Sequence, residues 1–177
     1  MTRDDLKRFC TLDIDFETIG LIEPGVDQGA YFCDPVGAEH VGCLGVDGIH
    51  FVLLPGDERV FCVDPAMGGI GTYVLPVGKD FRQFLSFVLY CEDANPVSQI
   101  WWLSEERFRR LLDTQTTWPG CEAFFQRRDA ALAAVAEAFD LEPQEPYSAV
   151  KELQSAFDPS VLNFSDEYYD VLGLERE

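Results

Sequence analysis

Residues 41–54, VGCLGVDGIHFVLL, constrain this chain more than any other stretch. Apolar residues run up to Asp47-Gly48 and away from it. That pair suits a two-residue hairpin turn, because both central positions of the turn need positive φ. The tightest register sets Val46 opposite Ile49, Gly45 opposite His50, Leu44 opposite Phe51 and Cys43 opposite Val52. One face then carries Leu44, Val46, Ile49, Phe51 and Leu53, and the other Val41, Cys43, His50, Val52 and Leu54. Both faces are largely apolar, so the hairpin belongs to a sheet covered on both sides.

The flanking segments extend that sheet. Pro55-Gly56-Asp57-Glu58 reads as the next turn and residues 59–64 as a third strand. Residues 64–71 read as a flexible Pro/Gly connector, and residues 73–77 as a fourth strand that Pro76 either ends or places at an edge. A helix follows over 79–91. Asp80 is its N-cap, Gln83 completes a capping box, and Phe81, Phe84, Leu85, Val88 and Cys91 recur at helical spacing. Upstream, Thr2 caps a short helix holding Leu6 and Phe9. Leu12, Ile14 and Phe16 alternate as in an edge strand, and residues 24–40 read as loop.

Downstream the pattern is helical. Glu92 to Pro96 ends the 79–91 helix, and Ser104 caps a helix with Glu105 and Glu106 in its first turn. A longer helix runs from near Pro119 to about Asp140 with Phe124, Phe125, Leu132, Val135 and Phe139. After Pro143 and Pro146 another, over 147–157, holds Val150, Leu153 and Phe157. The expected fold class is α+β. A mostly antiparallel sheet of four to six strands is flanked by helices over residues 1–112. A helical extension over 113–177 packs on it as one unit.

Charge sets the partner class. The chain has 32 acids and 13 bases, a net charge of −19. Residues 9–58 hold ten acids and no Lys or Arg. Such a surface repels nucleic acid and anionic membrane and attracts a basic partner. The candidate partner-facing acids are Asp13, Asp15, Glu17, Glu23, Asp27, Asp34, Glu39, Asp57 and Glu58. The charged start, MTRDDLKRFC, and the lack of a long apolar run point to a cytoplasmic protein. Six cysteines without a C-x-x-C pair fit reduced core thiols.

No catalytic or metal signature stands out. Cys33, His40, Cys43 and His50 are spaced too loosely for a zinc motif. His50 lacks an evident orienting partner and nucleophile, and a His in an apolar strand is ordinarily a satisfied core or rim residue. Cys121, near a helix start, is the best-placed thiolate. Gly68-Gly69-Ile70-Gly71 joins two strands without the Lys of a phosphate loop. Close acid pairs such as Asp13/Asp15 are expected by chance among so many acids. Arg107, Arg109, Arg110, Arg127 and Arg128 lie near Trp101, Trp102 and Trp118, a combination that serves single-stranded nucleic acid in other settings. Neighbouring Glu105, Glu106 and Asp113 make salt-bridged helix surfaces the expected outcome.

Four segments together resemble the SUKH superfamily, also called the Smi–Knr family: GVDGIHFVLLP at 45–55, ERVFCVDP at 58–65, YVLPVGKDFRQFL at 73–85 and NPVSQIWWLSEERFRRLL at 95–112. The family pattern is a glycine-bearing hairpin, a strand with a terminal acid, then a hydrophobic element, a short gap, an acid and F-x-x-F-L. Here the last part is Asp80-Phe81-Arg82-Gln83-Phe84-Leu85. The resemblance covers residues 30–112. The usual amino-terminal L-P-x-x-Y element is missing, which marks a divergent member.

The resemblance implies a sheet flanked by helices, no catalytic residues and no cofactor. Many bacterial members are immunity proteins that block polymorphic toxins, often nucleases, and fungal members regulate through protein contacts. The function expected is therefore a non-enzymatic protein-binding module whose acidic surface meets a basic toxin domain. A regulatory scaffold without a toxin, and a small enzyme or metal-binding protein using His50 with a cysteine, are the alternatives. The oligomeric state is left open.

Overall fold

Asp47 at φ 54° and Gly48 at φ 71° close the hairpin, with the Ile49 N–H donating to the Val46 carbonyl at 3.1 Å. In this computed structural model, which describes residues 1–26, 31–70, 72–114 and 120–175, four antiparallel strands form one sheet. They are β1 (Glu39–Cys43), β2 (His50–Leu53), β3 (Val60–Val63) and β4 (Val74–Gly78), in the order β1-β2-β3-β4. The fold is α+β, at the lower end of the expected strand number.

The hairpin register differs from the tight one. Cys43 lies opposite His50, Gly42 opposite Phe51 and His40 opposite Val52. Gly45, at φ 76°, and Val46 join the loop, since the Leu44 N–H already pairs with the Ile49 carbonyl at 3.0 Å. A second irregularity falls between His40 and Gly42. It turns Val41 into the core that holds Phe51 and Leu53, not onto the face of Val52 and Leu54. Val46, at the tip, is exposed.

Both faces of the sheet are covered. On one side Phe51, Leu53, Val60 and Cys62 meet helices α1 (Thr2–Phe9) and α2 (Phe81–Cys91). Asp80 caps α2 through the Gln83 N–H at 2.8 Å, while Gln83 Oε1 accepts from the Lys79 N–H at 2.9 Å. On the other side Val52, Leu54, Phe61 and Val63 pack with Cys33, Met67, Phe157, Phe164 and Tyr168. Each buried Phe or Leu contributes about 1.5–3 kcal/mol, so the two layers together hold the sheet.

The remaining helices are α3 (Asn95–Gln99), α4 (Glu105–Thr114), α5 (Glu122–Phe139), α6 (Tyr147–Ser155) and α7 (Asp166–Leu172). Ala131, Val135 and Phe139 of α5 and Val150 of α6 enter the same core as Phe9, Phe51 and Phe84. Pro76 lies in β4, an edge strand, and its carbonyl accepts from Gln154 of α6 at 3.4 Å. Glu105–Arg109 and Glu106–Arg110 are ion pairs one turn apart on α4, which accounts for two of the arginines. Arg128 pairs with Glu92 at 2.7 Å and lies over the Phe125 ring.

Four local expectations change. Thr2 lies inside α1 and does not cap it; its hydroxyl donates to the Glu58 carbonyl at 2.9 Å. Residues 12–16 form no strand; Phe16–Ile19 is a 3₁₀ turn, and Leu12, Ile14 and Phe16 pack on the helix-side core from there. The connector contains a 3₁₀ helix over Pro65–Ile70, opened by Asp64, whose carboxylate accepts from the Ala66 N–H. Asn95–Gln99 is helical, with Pro96 in its first turn, where a missing N–H costs nothing.

Candidate functional site

β2 is buried along its whole length, and His50 opens it beside the hairpin turn. An imidazole at that position must find partners or leave buried polar atoms unsatisfied. Nδ1 lies 2.8 Å from the Gly48 carbonyl, and Nε2 lies 2.8 Å from Asp34 Oδ1. The second carboxylate oxygen of Asp34 accepts from the Tyr31 N–H at 2.9 Å, and the Asp34 N–H returns to the Tyr31 carbonyl at 2.9 Å. One carboxylate thus ties the 31–34 turn to the strand.

The rings close over this pair. Tyr31 stacks with His50 at 5.2 Å between centroids, and His40 lies nearly parallel to His50 at 4.8 Å and 7°. His50 is 1% exposed, Asp34 8% and His40 9%. One ligand-capable atom from each of Asp34, His40 and His50 lies within 4.8 Å of the others. Tyr31, His40, Cys43, Val46, Asp47 and His50 border a hollow of about 250 Å³ at the surface end of this cluster.

The fold brings together two members of the set His40, His50, Cys33 and Cys43 and adds Asp34. Cys43 is directly across from His50 in the ladder, but both ring nitrogens of His50 are engaged elsewhere. Burial, then the charge of Asp34, pushes the Cys33 thiol up to about 12. Burial also pushes Cys62 and Cys91 upward, so these three are thiols at neutral pH. Cys121 stands at the N-cap of α5 without a capping hydrogen bond. No nucleophile–base pair emerges among these groups.

The nine acids expected on a partner-facing surface divide sharply. Asp13, Glu17, Glu23 and Glu58 are exposed. Asp34 is a correction: His50 and the Tyr31 N–H draw it inside, where it is buried. Glu39 pairs with Arg3 at 3.0 Å, Asp57 with Arg59 at 2.7 Å, and Asp15 with Arg127 at 2.9 Å. Glu58 accepts from the Thr2 N–H at 2.8 Å. Asp27 lies outside the described residues. Several of these acids therefore pin α1 and the turns internally. No sequence signal marks Asp34 as the partner of His50, because the two are 16 positions apart with β1 between them.

Among the described residues no helix is long and apolar enough to cross a membrane. Compared with family models, with curated proteins and with solved structures, the chain matches none.

Proposed function

We propose that this chain is a non-enzymatic protein-binding module of the SUKH kind, acting in the cytoplasm on a basic protein partner. At its most specific, the reading is an immunity protein that neutralises a nuclease-type toxin. The hairpin tip carries it. Val46 is 57% exposed and Tyr31 44% exposed, and both border the hollow beside Asp47. Ile22, which pairs with Cys43 and touches the Gly45 position, brings the exposed Glu23 to the same end. Apolar anchors with a charged rim are the anatomy of a protein interface. The net charge of −19 favours a cationic partner and a fast encounter.

The partner is sought by capture on the purified chain at low salt, alongside protection against a toxin encoded by the adjacent gene. Reversing Asp13, Glu17 and Glu23 to Lys lowers the association rate at least tenfold and flattens its salt dependence. A folded triple variant that binds and protects as the parent does refutes the acidic surface. Absence of both a protein partner and protection refutes the reading as a whole.

A further inference from the structure

We propose that Asp34, His40 and His50 form a binding site for one divalent transition-metal ion of the zinc class. Its basis is the chemistry of the two short contacts of His50, and it stands apart from the protein-binding reading.

The Gly48 carbonyl can only accept, so Nδ1 of His50 carries a proton and donates at 2.8 Å. A neutral ring then has its lone pair on Nε2. That lone pair faces Asp34 Oδ1, another acceptor, at 2.8 Å. Two lone pairs do not rest against each other in a buried site without a cation to share. The cation is a proton or a metal ion. A ring N–H held by a backbone carbonyl fixes the tautomer and leaves the other nitrogen's lone pair for a ligand, which is the outer-sphere half of a metal-bound histidine.

His40 supplies what a proton alone does not require. Its ring runs parallel to that of His50, and its ligand-capable nitrogen completes a set within 4.8 Å. Ligands at about 2.0–2.1 Å around a tetrahedral ion stand roughly 3.4 Å apart, so Asp34 Oδ1 and His50 Nε2 part from 2.8 Å while the wider pairs close from within 4.8 Å. Two imidazoles and a carboxylate select zinc, copper, nickel or iron(II) over calcium or magnesium. Three protein ligands leave a fourth position, and the 250 Å³ hollow bordered by both histidines has room for a water there. Cys33 and Cys43 lie outside the set, so the site is free of thiolate.

The test uses the untagged full chain, stripped with chelator and dialysed. Zinc chloride alone is titrated at neutral pH by calorimetry, with magnesium chloride as control. One zinc per chain and no magnesium response are expected, and His40→Ala and Asp34→Asn each weaken zinc at least tenfold while Cys43→Ser does not. Buried variants can misfold, so cobalt(II) is also added to the parent protein. Visible d–d bands of a site with nitrogen and oxygen ligands are expected, without a thiolate charge-transfer band. No stoichiometric zinc in the parent means that a proton fills the site and overturns the proposal. A thiolate band, or folded His40→Ala and Asp34→Asn variants that bind as the parent does, also overturns it.

Discussion

Phe139→Ala tests whether the carboxy-terminal helices are an appendage or part of one cooperative fold. Phe139 ends α5, is 1% exposed, and shares a core with residues from α1, α2 and the sheet. Its ring lies 6.5 Å from Phe9 and 6.4 Å from Phe81, with Arg8 and Arg82 over its face. Arg82 also donates to the Phe139 carbonyl, so the backbone end of α5 is tied to α2. Removing a buried Phe costs about 3–5 kcal/mol, lost burial and the residual cavity together. Against a total of roughly 5–15 kcal/mol, that is a large fraction. With a urea slope of about 2 kcal/mol/M, the midpoint falls by about 2 M. Far-ultraviolet circular dichroism follows the helices, and fluorescence in a variant that keeps only Trp101, with Trp102 and Trp118 replaced by Phe, follows the opposite face of the sheet, where Trp101 packs. In one cooperative unit both signals shift together by that amount. A loss below about 1 kcal/mol, or a helical transition that separates while fluorescence stays at the parent midpoint, refutes the integrated core.

Gly45→Ala places a side chain at φ 76° with its Cβ 2.6 Å from Ile22 Cδ1; Ile22 can move but the backbone strain stays, so urea unfolding loses roughly 1–2 kcal/mol. A cost below about 0.5 kcal/mol means the loop tolerates any residue. Burial pushes the Asp57 carboxyl up, but hydrogen bonds from the side chain and backbone of Arg59, with its charge, outweigh that and hold it below its ordinary value. Its contribution is present above about pH 4 and lost as pH falls through the lowered value, so thermal melts from pH 7 to 3 show the parent losing more than Asp57→Asn. A constant gap between the two refutes the pairing. Thiol titration finds Cys10, Cys43 and Cys121 reactive in the folded protein and Cys33, Cys62 and Cys91 reactive only after unfolding. More than three fast thiols contradicts the burial.

The features that were legible in the sequence are those whose cause is local. Asp47-Gly48 makes its turn because of two φ angles, and Asp80 with Gln83 caps α2 within four residues. The apolar stripe of α2 was readable for the same reason, and of the two readings of Pro76 the edge position holds while β4 continues past it to Gly78. What escaped depends on distant contacts. Leu12, Ile14 and Phe16 alternate like a strand, yet no strand comes alongside them, and the 16–19 turn docks on α5 instead. Asp34 looked like one more loop acid, and only the approach of β2 makes it a buried partner of His50. Glu39, Asp57 and Glu58 looked like surface charge until Thr2, Arg3 and Arg59 claimed them.

The histidine cluster itself depends on two departures from regular pairing. In the tight register His40 would lie opposite Pro55, five positions along the strand from His50, or about 17 Å. Taking Gly45 and Val46 into the loop slides β1 by two positions, and the irregularity between His40 and Gly42 adds one more. His40 then lies opposite Val52, two positions from His50, and the rings meet at 4.8 Å. The odd shift also moves Val41 to the helix-side core, leaving the other face to the polar cluster. Glycine is needed where the strand is reshaped. Gly45 occupies the left-handed region, and a Cβ on Gly42 would stand 3.2 Å from the Leu21 backbone, which cannot swing aside. Asp34 completes the arrangement from a loop held by its own turn. Gly42 and Gly45 are therefore what places two imidazoles and a carboxylate in one buried pocket.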